Sequence, residues 1–266
     1  MLGKLLKYEI KATSRTFLPL FGVLLLFTLI NKLFFVINPS HFSLPQGISM
    51  TVYVVTLVGI IVVTLLITIQ RFYKNLLGDE GYLMFTLPVK PWQLITSKLL
   101  VSGMWNIAST AVAILSVLVM VLGSADLYAF PRVWTEMMQD MRLAMGMSPA
   151  LFFFELALLI LGGLAMGIMV IYLSIALGHQ LNSKKLLGSF GAFLLTTTVI
   201  QSVTTFVVWL LSKLLSGHGF GEWLNSLSFA AGTQLGMWTG IVYEIIVTAA
   251  CFALTNWLLK KRLNLE

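Results

Sequence analysis

The stretch "LFFVINPSHFSLPQGISMTVYVVTLVGIIVVTLLITIQ", residues 33–70, contains no Asp, Glu, Lys or Arg. A water-facing segment of that length would carry several charges, so the run reads as bilayer-embedded. Asn38-Pro39 and Pro45-Gln46-Gly47 interrupt it, because proline has no amide hydrogen to donate and Asn and Gly favour turns. What remains is the end of one crossing and the whole of the next. Extending the same test along the chain places spans at 17–37, 49–70, 99–123, 151–177, 186–211 and 236–258. Each is near the roughly 20 residues that cross a hydrocarbon core. The runs are continuous rather than alternating, which specifies helices and not a barrel. The first is not expected to be a cleaved signal, since its apolar region is too long and no small-residue cleavage site follows.

Composition agrees. The 266 residues are 58% hydrophobic and 10% charged, against about 25% charged in soluble domains. The reading is an all-α integral membrane protein, with 1–266 as a single transmembrane domain. The lone cysteine, Cys251, lies in an apolar run and supports no disulfide framework.

The net charge of +7 is explained by where it falls. Lys4, Lys7, Lys11, Arg15, Arg71, Lys74, Lys90, Lys98, Lys184, Lys185, Lys260, Lys261 and Arg262 occupy one set of connections, thirteen of the 17 basic residues. Arg132, Arg142 and Lys213 occupy the other, with Lys32 near the far end of the first span. Positive residues stay on the cytoplasmic side, so both termini are expected there, in a multi-pass protein of the cytoplasmic membrane. Topology therefore accounts for the basic excess, and nucleic acid is not an expected partner.

The non-spanning segments carry pattern at the N-terminus, in the two outer connections and in one cytoplasmic connection. Residues 1–16 read as an interfacial helix on the lipid bilayer, with Leu2, Leu5, Leu6 and Ile10 on one side and Lys4, Lys7, Lys11 and Arg15 on the other. Glu9 falls on the apolar side, which points to a protein partner or an imperfect helix. The outer connections are 124–150, with a surface helix around 133–145, and 212–235. The latter is too apolar for a solvated loop and too broken for a span, so a re-entrant or interfacial segment is expected before span six.

The cytoplasmic segment, "NLLGDEGYLMFTLPVKPWQLITSKLL" at 75–100, lies in the connection 71–98. Asp79 and Glu80 suit the first turn of a short helix, where the positive dipole end favours carboxylates. Leu83 and Leu87 share a face, with Tyr82 and Phe85 flanking. Pro88 ends the helix and Pro91 opens the next. An exposed surface of that kind implies a docking partner.

This loop resembles the one in bacterial type-2 ABC (ATP-binding-cassette) export permeases: an acidic residue, Gly, apolar residues, a Pro-containing turn, and Lys entering span three. The ends "LLKYEIKATSRTFLPL" (5–20) and "NWLLKKRLNLE" (256–266) are similar to small permeases of that group, and the layout matches over the whole chain. The resemblance implies a permease subunit of an ATP-driven exporter, moving an amphipathic substrate such as an antimicrobial peptide, a lipid or a drug. It implies that Asp79, Glu80, Gly81, Tyr82, Leu83, Phe85, Leu87 and Pro88 form a coupling helix seated on separate ABC ATPase subunits. It also implies a second permease subunit, identical or related, with ATP and Mg on the ATPase and no cofactor on this chain.

The chain itself lacks a G-x-x-x-x-G-K-[ST] phosphate loop. His41, His179 and His218 lie in separate connections, so no metal-ligand cluster is expected. No nucleophile elbow or locally spaced carboxylate pair is visible, and enzymatic activity is not expected of this polypeptide.

Glu155, Glu244 and Lys32 fall inside spans, where a charge costs about 2.5–3.5 kcal/mol on insertion scales. They are candidates for a translocation path, or alternatively for a structural ion pair. Gly232, Gly236 and Gly240, and separately Gly163 and Gly167, recur at four-residue spacing and suit helix packing within the bundle or across a dimer. Two other classes remain open: a proton- or ion-coupled secondary transporter with Glu244 as the coupling carboxylate, and a non-transporting scaffold or sensor subunit.

Overall fold

The computed structural model describes residues 2–37, 44–74, 89–122, 124–180, 185–216, 219 and 226–261. Among them are seven helices and no strands: α1 Leu2–Ile37, α2 Leu44–Phe72, α3 Pro91–Val121, α4 Ser124–Met145, α5 Pro149–Gly178, α6 Lys185–Ser216 and α7 Phe229–Lys261. All except α4 are long and apolar enough to cross a membrane, making six candidate spans. The chain is an all-helical, multi-pass membrane protein.

Five of the six expected spans sit inside these helices, and the third, 99–123, runs past the end of α3 at Val121; the helices are otherwise longer than the spans. At 1.5 Å per residue, roughly 20 residues cover the hydrocarbon, whereas α1 has 36 residues and α7 has 33. Backbone hydrogen bonding continues past the point where apolar composition stops, so hydropathy marks the membrane and not the helix end. Three corrections follow. Residues 2–16 form no separate helix; they are the first turns of α1, which runs on through Pro19. The segment 212–235 is narrowed from both ends, because 212–216 belong to α6 and 229–235 to α7. The residues between, where a re-entrant or interfacial segment was expected, lie mostly outside the described residues. The helix expected around 133–145 begins earlier, at Ser124, and its Arg132 and Glu136 pair at 2.9 Å.

Within the single transmembrane domain read from sequence, the structure divides into two compact units, Met1–Phe130 and Pro131–Glu266. In the first, α1, α2 and α3 pack around Phe17, Phe21, Leu24, Tyr53, Ile60, Val101 and Trp105. Phe17 stacks on Trp105 with ring centroids 4.5 Å apart. Lipid is as apolar as Leu, so burial alone does not select this arrangement; interhelical hydrogen bonds do part of that work. Tyr53 Oη meets Ser116 Oγ at 3.0 Å, Thr64 Oγ1 meets Ser109 Oγ at 3.1 Å, and Asn31 Nδ2 donates to the Ser49 carbonyl at 3.3 Å. At the start of α3, Pro91 occupies the first helical turn as expected, and the Lys90 amide donates to Gln93 Oε1 at 3.2 Å.

In the second unit α6 and α7 both pack on α5. The buried core is supplied mainly by the C-terminal half of α5, including Ile168, Met169, Tyr172, Leu173 and Ile175, with Ile241, Cys251, Leu258 and Leu259 of α7. Gly178 at the end of α5 touches the backbone of Ser189 on α6, so close that a side chain there would have no space.

Candidate functional site

The eight residues singled out between Asp79 and Pro88 as a coupling helix lie outside the described residues. Their two supports are described: α2 leads in and α3 leads out. Between these supports sits a buried ion cluster that joins three helices. Glu9 Oε1 accepts from Lys98 Nζ at 2.6 Å, and Glu9 Oε2 lies 3.5 Å from Arg71 Nη1. Lys98 is only 3% exposed and Glu9 9%.

One turn further along α1, Thr13 Oγ1 donates to the Glu9 carbonyl at 2.7 Å and accepts from Trp105 Nε1 at 2.7 Å. Glu9 therefore belongs on the side shared with Leu2, Leu5 and Leu6: that side packs, at least partly buried, against the bundle. The partner that its position called for is in the same chain. Periodicity within 1–16 placed the residue correctly, but Lys98 is 89 positions away, beyond the reach of any local pattern.

Lys32 has a local structural role. Its Nζ donates to the carbonyls of Leu122 at 2.6 Å and Met120 at 3.3 Å. These are among the carbonyls that the last turn of a helix leaves without amide partners, so Lys32 caps α3 from a neighbouring helix.

In the second unit Glu155 is fully buried. Neither of its carboxylate oxygens has a hydrogen-bond partner among the described residues. Glu244 lies flat against α5, where its carboxylate takes the space that side chains at Gly162 and Gly163 would fill. The glycines thus form a notch for an acid on the facing helix. Gly163 was legible from its spacing, but Gly162, which approaches Glu244 more closely, was missed, since a four-residue repeat does not register an adjacent pair. Gly240 approaches Leu159 Cδ2, to which an added Cβ would stand 3.0 Å away. Gly167, Gly232 and Gly236 face open space, with nothing within 4 Å of where a side chain would begin.

α6 and α7 pack on α5 and hardly on one another, and between them lies an apolar groove of about 940 Å³ whose lining includes Val203, Val207, Trp238, Val242, Ile246 and Leu254. Tyr243 lines it too, and its hydroxyl accepts from Thr204 Oγ1 at 3.1 Å, bridging the two helices. A second hollow of about 320 Å³ adjoins this bridge and is more polar, lined by Thr197, Gln201, Thr205 and Met166. An elongated molecule with an apolar body and hydrogen-bonding groups fits such a pair of spaces. No sequence signal marked the groove, because it arises from how α6 and α7 are placed on α5.

Past the end of α5, burial and then the neighbouring Lys185 charge hold the His179 imidazole below its ordinary value of 6.5. No cluster of three or more His, Cys, Asp or Glu gathers among the described residues.

No protein-family model matches the chain, and neither a curated protein nor a solved structure matches it.

Proposed function

We propose that this chain is the membrane-spanning permease subunit of an ATP-driven ABC exporter, carrying an amphipathic substrate on energy from separate ATPase subunits. The observation that carries this reading is the layout: six apolar helices with the acidic, aromatic, proline-bounded connection 75–88 between the second and third. The apolar groove with a polar hollow beside it suits an amphipathic cargo. On this reading Asp79, Glu80, Tyr82, Leu83, Phe85 and Leu87 seat on the ATPase, which holds ATP and Mg. A second permease subunit completes the path, and both termini face the cytoplasm of a bacterial cell.

Purification in mild detergent tests it. The chain should bring down an ATP-binding-cassette ATPase and show no ATP hydrolysis alone. Leu83→Asp should abolish that recovery, or uncouple hydrolysis, without stopping membrane insertion. Recovery of a transport-competent chain with no ATPase rejects the reading.

A proton- or ion-coupled transporter is the second reading, favoured by one observation: Glu155 is buried without a bonded partner among the described residues, and Glu244 is housed in a glycine notch. Transport that follows an imposed ion gradient without nucleotide, and that Glu244→Gln abolishes, would select it.

A further inference from the structure

The two oxygens of Glu9 are divided between two helices, one on each side of the 75–88 connection. Arg71 is in the last turn of α2, just before it, and Lys98 is in the second turn of α3, just after it. We propose that Glu9 is a positioning residue that clamps the feet of this connection to α1, firmly on the α3 side and loosely on the α2 side. What the connection transmits rests on the exporter reading; the clamp itself does not.

The asymmetry is geometric. The Lys98 contact is a 2.6 Å hydrogen-bonded ion pair with a lysine side chain only 2% exposed, so bulk water hardly reaches it. The Arg71 contact is 3.5 Å long and its side chain is 29% exposed. An exposed, long contact is screened and exchanges readily with water. A buried one leaves an uncompensated charge when broken.

The firm side is reinforced down the helix pair. Thr13 links the Glu9 carbonyl to the Trp105 indole, and Trp105 stacks on Phe17. Packing alone asks for no charge at this depth, and an apolar residue would hold three greasy helices together as well. A carboxylate shared between the two feet instead lets the α2 foot slide while α1 and α3 move as one body. A push that enters through the connection then reaches α1 and α3 together.

Spin-label distances test this in the full chain, with Cys251→Ala to remove the native thiol. Exposed positions 8 and 90 report α1 against α3, and positions 8 and 70 report α1 against α2. In nanodiscs without nucleotide, the 8/90 distance should be single and narrow. Glu9→Gln should abolish that narrow distance, and Lys98→Arg, which keeps the charge, should retain it. An unchanged 8/90 distribution in Glu9→Gln overturns the clamp.

Arg71→Gln provides a second test should Glu9→Gln fail to accumulate in the membrane: it should broaden 8/70 and leave 8/90 narrow, and the reverse outcome overturns the firm and loose assignment. In complex with the co-purified ATPase, vanadate trapping should shift 8/70 and leave 8/90 in place; a shift in 8/90 alone overturns the division. If no ATPase co-purifies, the exporter reading fails, while the nanodisc distances still decide the clamp.

Discussion

Glu155 shows most plainly what one side chain can cost. A carboxylate fully buried in a span, with no bonded partner among the described residues, is unfavourable by about 2.5–3.5 kcal/mol on insertion scales. Glu155→Gln, similar in shape but never charged, should therefore raise the thermal unfolding midpoint of the detergent-solubilised chain. A lowered midpoint would mean that the acid has a partner. The glycines divide in the same way. Gly178→Ala would drive a methyl into the backbone of Ser189, and overpacking against backbone costs about 1–3 kcal/mol. Gly167→Ala meets nothing and should stabilise by about 0.4–1 kcal/mol, since the unfolded chain loses freedom. Paired urea or thermal titrations compare the two. Spacing made Gly163 and Gly167 look equivalent; only the position of the facing helix separates them, and a linear pattern does not contain that position.

At the scale of elements, the ends of helices account for most of what composition left unread. The apolar centres of all six spans were legible, because hydrocarbon tolerates so few charges. The termini were not, because capping draws on distant groups. Lys32 looked like a membrane charge in search of an acid, and instead it serves the carbonyls of Met120 and Leu122. Hydrogen bonds to a charged donor contribute about 1.5–3 kcal/mol. Lys32→Met should lose roughly that much and speed amide exchange in the final turn of α3, leaving the middle of α3 unaffected. At the junction of α5 and α6, His179 titrates below the ordinary value of 6.5. Between its folded value and 6.5 the unfolded chain binds a proton that the folded one does not, so stability is complete above that window and falls as pH drops through it. The unfolding midpoint should therefore decline with acidification below 6.5, and His179→Gln should flatten that decline.

For the whole molecule, the class of protein was legible from residues 33–70 and the charge distribution alone. Its division into two three-span units was not, because it depends on which helices pack together. The same limit separates the two candidate sites. The 75–88 connection announces itself by composition. The groove over α5 is built from ordinary Val, Ile and Leu residues, each unremarkable where it stands. If the groove takes cargo, Val242→Trp, which narrows it, should weaken drug- or lipid-stimulated ATP hydrolysis by the assembled complex without changing the basal rate. An equal change in both rates would assign the groove to structure.

α1 is a single rod of 36 residues, roughly 54 Å at 1.5 Å per residue, almost twice the depth of the hydrocarbon. A continuous helix of that length meets a thinner bilayer by leaning or by bending at Pro19, where proline removes a backbone hydrogen bond. Lipid thickness would then set its angle, and with it the height at which Glu9 holds its two basic neighbours. Membrane composition would in this way tune the molecule from a point far from any cargo.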